Sequence, residues 1–145
     1  MSVLVDTNVL LRRLQPLHEH HRPAVAATAR LIDSAEPVHV TPQNIAELWA
    51  AATRPVARNG LGLSPAAASA EIDRIERVFA VLPDDPAIYS HWRRLVVMHA
   101  VIGSQVYDAR LVAAMTVYGV GRILTFNARD FVRYGIEVME PSAVS

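Results

Sequence analysis

Short, uninterrupted apolar runs alternate along this chain with longer stretches whose apolar residues fall at helical spacing, and that alternation is its strongest constraint on fold. The first run, Met1 to Val5, ends at Asp6. Continuous apolar strands of this kind belong to parallel sheets buried on both faces. Thr7 and Asn8 follow, then Val9, Leu10, Leu11 and Leu14 at helical spacing. Leu17 to Pro23 is polar and histidine-rich and reads as a loop. Ala24 to Ser34 reads as a helix with Val25, Ala29 and Ile32 on one face. Pro37 to Thr41 reads as a second strand. Pro42 then opens a helix as a first-turn proline does; it carries Ile45, Leu48, Trp49 and Ala52 and stops before Pro55. Ala57 to Leu63 is a glycine-containing loop. Ser64 and Pro65, an N-cap followed by proline, start a helix running to about Val78, with Ile72, Ile75 and Phe79 as its core stripe. Ala80 to Leu82 is a short strand and Pro83-Asp84-Asp85-Pro86 a turn. Helices follow at about Ala87 to His99 and Tyr107 to Tyr118, the last closed by Gly119 and Gly121. Strands at Arg122 to Thr125 and Ile136 to Met139 complete an α/β pattern with a mainly parallel sheet. With no internal repeat, low-complexity tract or linker, residues 1–145 read as one domain.

Bulk properties narrow the function. The chain has 145 residues, of which 52% are hydrophobic and 19% charged, a globular balance. The absence of cysteine excludes disulfide and thiolate chemistry and suits a reducing cytoplasm. The first residues, MSVLVDTN, lack the basic start and apolar stretch of a signal peptide, and no apolar run approaches the ~20 residues that span a bilayer, so secretion and membrane insertion are not expected. The formal net charge is zero, so any contact with nucleic acid must be local rather than driven by a bulk positive field. All 14 basic residues are arginine, which grips phosphate bidentately, although compositional bias explains this as well. His18, His20 and His21 fit a polar loop better than a zinc site, and His39, inside a strand, reads as a satisfied structural histidine. Trp49 and Trp92 fall on amphipathic helices and suit core or dimer packing. Gly60-Leu61-Gly62 lacks the lysine and the preceding strand of a phosphate loop.

The acidic residues are more informative. In open parallel sheets, ligands collect beyond the carboxyl ends of the strands. Asp6 lies just past the first strand, and Asn127 and Asp130 just past a late one. Alone, Asp6 reads as a helix N-cap. Glu47 follows Asn44 by three residues, so both project from one side of their helix; alone, Glu47 reads as a solvated surface acid. Asp108 sits in line with Leu111, Val112 and Met115 and reads equally as an N-cap or a ligand. Together they change the balance. Two carboxylates ~4 Å apart at an effective dielectric near 20 repel by roughly 4 kcal/mol. No lysine is present to neutralise such a group, though arginine could. A divalent cation would do so, and oxygen ligands favour Mg²⁺, Mn²⁺ or Ca²⁺.

The same segments carry a family resemblance. Val3-Leu4-Val5-Asp6-Thr7-Asn8-Val9-Leu10, Thr41-Pro42-Gln43-Asn44-Ile45-Ala46-Glu47, Val106-Tyr107-Asp108-Ala109-Arg110-Leu111 and Leu124-Thr125-Phe126-Asn127-Ala128-Arg129-Asp130-Phe131 occur in order across nearly the whole chain. In this the chain resembles PIN-domain ribonucleases, in particular the VapC-type toxins of type II toxin–antitoxin pairs. The resemblance implies a Rossmann-like three-layer α/β/α fold and an endoribonuclease dependent on Mg²⁺ or Mn²⁺. It implies that Asp6, Glu47 and Asp108 bind metal and that Asn127 and Asp130 complete the acidic site, which of the two faces the metal being open. Thr7, Asn8, Asn44 and Thr125 are the expected supporting residues. Arg12, Arg13, Arg54, Arg58, Arg110 and Arg129 flank the motifs and are candidates for RNA contact, each set against an ordinary solvated arginine. A homodimer and a cognate antitoxin protein that blocks the site are also implied. A non-catalytic metal- or nucleotide-binding module, and a nuclease directed at DNA, are the alternatives that the residues leave open.

Overall fold

A strand covered on both faces has no polar side, and Val3, Leu4 and Val5 are all fully buried. In the computed structural model, which describes residues 2–144, they form β1 (Val3–Val5), the central strand of the sheet. Its Asp6 end leads into α1 (Thr7–Arg13), followed by α2 (His21–Asp33), β2 (Val38–Val40), α3 (Pro42–Thr53), α4 (Pro65–Val78) and β3 (Ala80–Val81). The chain then crosses the sheet through α5 (Pro86–Met98) and α6 (Gln105–Tyr118) to β4 (Arg122–Leu124) and β5 (Glu137–Met139). The strand order is β3-β2-β1-β4-β5 and every pairing among the described residues is parallel. Because the chain steps outward from β1 in both directions, the connections leaving β1 and β4 diverge. They open a crevice at the carboxyl edge, where doubly wound sheets bind ligands.

Side-chain alternation along the strands builds the layers. Val3, Val5, Val38, Val40 and Leu124 face one way and pack with residues of α1 to α4, including Leu10, Leu31, Leu48 and Ile75. Leu4 and Ile123 face the other way, onto Leu111, Val112 and Met115 of α6 and onto Phe131. Ile88 of α5 packs in turn on Ala113 and Ala114 of α6. The result is a three-layer α/β/α arrangement. No helix among the described residues is long and apolar enough to cross a membrane.

Several boundaries and faces depart from the sequence reading. Helix α2 begins at His21, so Pro23 lies in its first turn, where a missing N–H costs no helical bond. Its buried residues are Ala24, Ala27, Thr28 and Leu31, whereas Val25 and Ile32 are 41% and 38% exposed. The face of Ala24, Ala27, Thr28 and Leu31 lies against the core, and Val25 and Ile32 turn outward. Helix α6 starts at Gln105, two residues before Tyr107. The first strand is the shorter Val3–Val5, and Met1 of the predicted run lies outside the described residues. His39, in register between Leu4 and Ala80, has its Nδ1 buried without a hydrogen-bond partner among the described residues. Burial lowers its pKa, and a hydrogen bond with the Ala80 backbone opposes that shift. Trp92 belongs to the packing of α5 on α6, its Nε1 donating to the Val106 carbonyl at 2.8 Å.

Candidate active site

Asp6 occupies the carboxyl end of the central strand, where its backbone N–H donates to the Leu124 carbonyl at 3.0 Å. It caps α1, Oδ1 accepting from the Thr7 N–H at 2.8 Å. Oδ2 accepts from Thr125 Oγ1 at 2.8 Å and from Asn8 Nδ2 at 3.2 Å. Asp6 as a whole is only 7% exposed. Burial pushes its pKa up to about 6; the bonds from Thr125 and the Thr7 N–H pull against that, and the charges of Glu47 and Asp130 add to it. Thr125 is fully buried, and its hydroxyl also accepts from Asn8 Nδ2 at 3.1 Å and from the Asn127 N–H at 3.0 Å. Asn8 Oδ1 accepts from the Phe126 N–H at 3.2 Å. Asn8 thus fastens the start of α1 to the residues that follow β4.

Glu47 is held by a second chain of polar contacts. Pro42 and the N-cap Thr41 start α3 in a capping box. Thr41 Oγ1 accepts from the Asn44 N–H at 3.1 Å, and Asn44 Oδ1 accepts from the Thr41 N–H at 2.9 Å. That fixes the fully buried Asn44, whose Nδ2 donates to Thr7 Oγ1 at 3.0 Å. Thr7 Oγ1 then donates to Glu47 Oε1 at 2.8 Å. One helical turn separates Asn44 from Glu47, so a single hydroxyl of α1 meets both.

Asp108 lies in the first turn of α6, whose N-cap is Ser104, so it is not itself the cap. It is half-buried, and its pKa is raised to about 7 by burial first and then by the charges of Asp6, Asp130 and Glu47, with Arg133 opposing. Asp130 ends the 3-10 turn Ala128–Asp130 and is half-buried; its charge acts on both Asp6 and Asp108. Asn127 is exposed and contributes its backbone N–H to Thr125. Of these two, it is Asp130 that is electrostatically part of the cluster.

Four carboxylates from four segments therefore feel one another at one end of the sheet. Among the described residues, no three acidic or histidine side chains converge as closely as direct ligation of one ion needs. The oxygens of Asp6 and Glu47 are instead turned to Thr7, Asn8 and Thr125. The donor chemistry, all carboxylate with two pKa values raised by burial and then by neighbouring negative charge, fits a hard divalent cation.

The motif-flanking arginines are not gathered here. The Arg13 guanidinium lies over the Phe79 ring, 5.1 Å from its centroid, on the α1 side of the core. Arg110 donates to Gln43 Oε1 at 3.2 Å and pairs with Asp84 at 3.2 Å. Arg12 donates to Gln15 Oε1 at 2.7 Å. Arg54 and Arg58 are exposed beyond the C-terminal end of α3, Arg54 roughly 10 Å along the helix axis from Glu47. Arg129, next to Asp130, is exposed at the site's edge. The cation that acts on Asp108 is Arg133, which sequence reasoning missed. It lies outside every motif and is brought in by the 3-10 turn Val132–Tyr134.

A PIN-domain family model matches residues 3–137. The fold is also that of several solved structures. VapBC2 from Rickettsia felis, bound to a promoter DNA fragment, aligns with a TM-score of 0.70 at 11% identity, over 97% of this chain and 98% of that one. VapC20 from Mycobacterium tuberculosis, described as a sarcin–ricin-loop-cleaving toxin, aligns with a TM-score of 0.69 at 24% identity, over 92% and 95%. FitAcB from Neisseria gonorrhoeae aligns with a TM-score of 0.65 at 24% identity, over 97% and 99%. No curated protein matches the sequence.

Proposed function

We propose, from the premise that the chain belongs to the PIN-domain family, that it is a Mg²⁺- or Mn²⁺-dependent endoribonuclease and the toxin half of a toxin–antitoxin pair. The observation that carries this conclusion is the mutual influence of Asp6, Glu47, Asp108 and Asp130, contributed by four separate segments to one sheet edge. Asp6, Asp108 and Glu47 would hold the cation, with Asp130 adding negative charge beside them. When bound, the cation supplies Lewis acidity that lowers the pKa of water and offsets charge developing on phosphoryl oxygens. Thr125 and the Thr7 N–H favour the ionised form of Asp6 against its burial, and with Asn8 they aim its carboxylate. Asn44, through the Thr7 hydroxyl, orients Glu47. Burial and the neighbouring acids raise the Asp108 pKa to about 7, and a bound cation would favour its ionised form. RNA as substrate is supported by the likeness to a toxin described as cleaving the sarcin–ricin loop, and an antitoxin partner by the likeness to VapBC complexes. A homodimer and a cytoplasmic location complete the proposal.

The test is cleavage of single-stranded RNA, with single-stranded DNA alongside, by purified protein in Mg²⁺ or Mn²⁺ and in EDTA. Cleavage of RNA that stops in EDTA and in Asp6→Asn is the expected result. Wild-type rates from a folded Asp6→Asn protein would reject the assignment, and equal cutting of DNA would reject RNA specificity.

A further inference from the structure

The turn that carries Asp130 also walls a cavity of about 560 Å³. Gln105, Phe126, Asn127, Arg129 and Glu140 line it with Asp130, and the volume lies within the ~300–1,000 Å³ of small-ligand sites. Its walls are fastened to the acidic cluster. The Phe126 N–H donates to Asn8 and the Asn127 N–H to Thr125, and both Asn8 and Thr125 donate to Asp6. The Phe126 ring is fixed by His20, stacked on it with centroids 4.5 Å apart. Gln105 is oriented in advance: Arg133 donates from Nη2 to its Oε1 at 2.7 Å and from Nη1 to the His99 carbonyl at 3.3 Å. With Oε1 so engaged, Gln105 offers its Nε2 donors. The Asn127 side-chain amide is exposed and offers both a donor and an acceptor.

We infer that this cavity is a nucleotide subsite: it seats one unpaired nucleotide of the RNA beside the cleaved bond, and Gln105 and Asn127 read the edge of its base. The inference rests on the ribonuclease assignment of the neighbouring acids. Amide side chains are suited to base edges, and unpaired bases are the usual target of sequence-specific RNA recognition. Asp130 and Glu140 oppose a phosphate inside the cavity. The base therefore enters and its phosphate stays outside, where Arg129 is exposed. Phe126 supplies the apolar wall.

Two measurements on the full-length protein test this. The first is fluorescence anisotropy, in EDTA, of short labelled RNAs varied through the four bases at each position in turn. The second is cleavage of the same RNAs in Mn²⁺. In the wild type, one position next to the cut should prefer one base by roughly 10-fold or more, as one good base contact supplies. In Gln105→Ala or Asn127→Ala that preference should fall below about 3-fold, in binding and in kcat/KM alike. Both residues are exposed, so both variants should melt as the wild type does. Asp108→Asn, which removes no hydrogen bond of the cavity walls, should lose cleavage and keep the base preference in binding. If the wild type binds with this preference but cuts no RNA, the nuclease assignment falls and the subsite stands. No preference at any position, or a preference unchanged in both variants, overturns the subsite even where cleavage depends on Asp6.

Discussion

Replacing Asp108 with asparagine should make the metal-free protein more stable, not less, and only above a definable pH. Folding raises the Asp108 pKa from 3.8 to about 7, with burial as the main cause and three neighbouring acids adding to it. A carboxyl group so raised stabilises the fold fully below pH 3.8, where it is protonated in both states. That contribution is lost as pH climbs through about 7, because ionisation then costs the folded chain more than the unfolded one. The full shift corresponds to a ceiling of about 4 kcal/mol at alkaline pH. Asp108 is only half-buried, so solvent screening reduces this to about 1–2 kcal/mol. Asparagine does not titrate and should recover that amount. For a chain of this size the melting temperature should rise by about 3–6 °C at pH 8 in EDTA, with the difference vanishing near pH 4. Circular-dichroism melts of both proteins across that range give the comparison. Added Mn²⁺ should reverse the order, since saturation at ~100 times the dissociation constant adds about 2.7 kcal/mol to the wild type and far less to the variant. If Asp108→Asn proves less stable than the wild type at pH 8 in EDTA, or differs from it equally at all pH values, Asp108 is not a strained acid.

Two other substitutions probe the scaffold. Thr125→Val keeps the shape of a fully buried residue but removes the hydroxyl shared by Asp6, Asn8 and the Asn127 N–H. Unfolding in urea should show a loss of about 2–3 kcal/mol. The acidic limb of the pH–rate profile should move to higher pH, because that bond now holds the Asp6 pKa down. Gly60→Ala should cost about 1–3 kcal/mol of stability by the same measurement, since a Cβ there would stand 1.9 Å from the Arg54 carbonyl oxygen. The loop would have to lift off α3, breaking the 2.9 Å bond from the Gly62 N–H to that same carbonyl, and protease cleavage in this loop should quicken.

What the sequence reveals of this protein depends on how local the physics is. The run Val3–Val5 is continuous and apolar because both of its faces are covered, so a parallel central strand is readable from three residues. The outward turn of α2 is not readable in that way. Its alanine-rich sequence offers two adjacent apolar faces, and the choice is set by how closely the helix approaches the sheet, which no residue of α2 encodes alone. The acidic segments are legible in order but not in space. Asp6 and Thr125 are 119 residues apart and meet because parallel strands deliver their following loops to one edge. Gln105 and Arg133 carry no motif, and they meet because a helix start and a 3-10 turn happen to face each other. Proximity to a motif along the chain was correspondingly a poor guide to the arginines, with Arg13 packed on Phe79 and Arg133 acting on Asp108.

The same geometry separates the acids as experimental handles. Asp6 caps α1 and receives two side-chain hydrogen bonds, so its replacement changes helix, hydrogen-bond network and charge at once. Glu47 shares the Thr7 hydroxyl with Asn44, so its loss also frees a donor beside a buried amide. Asp108 caps nothing and accepts no hydrogen bond among the described residues, and its environment acts on it through burial and charge. Asp108 is thus an acid that the fold holds at a cost, whereas Asp6 and Glu47 are tied into the scaffold by hydrogen bonds. That is why the stability of Asp108→Asn, measured without metal and without substrate, reads the strain on this one acid without disturbing the hydrogen bonds of the others.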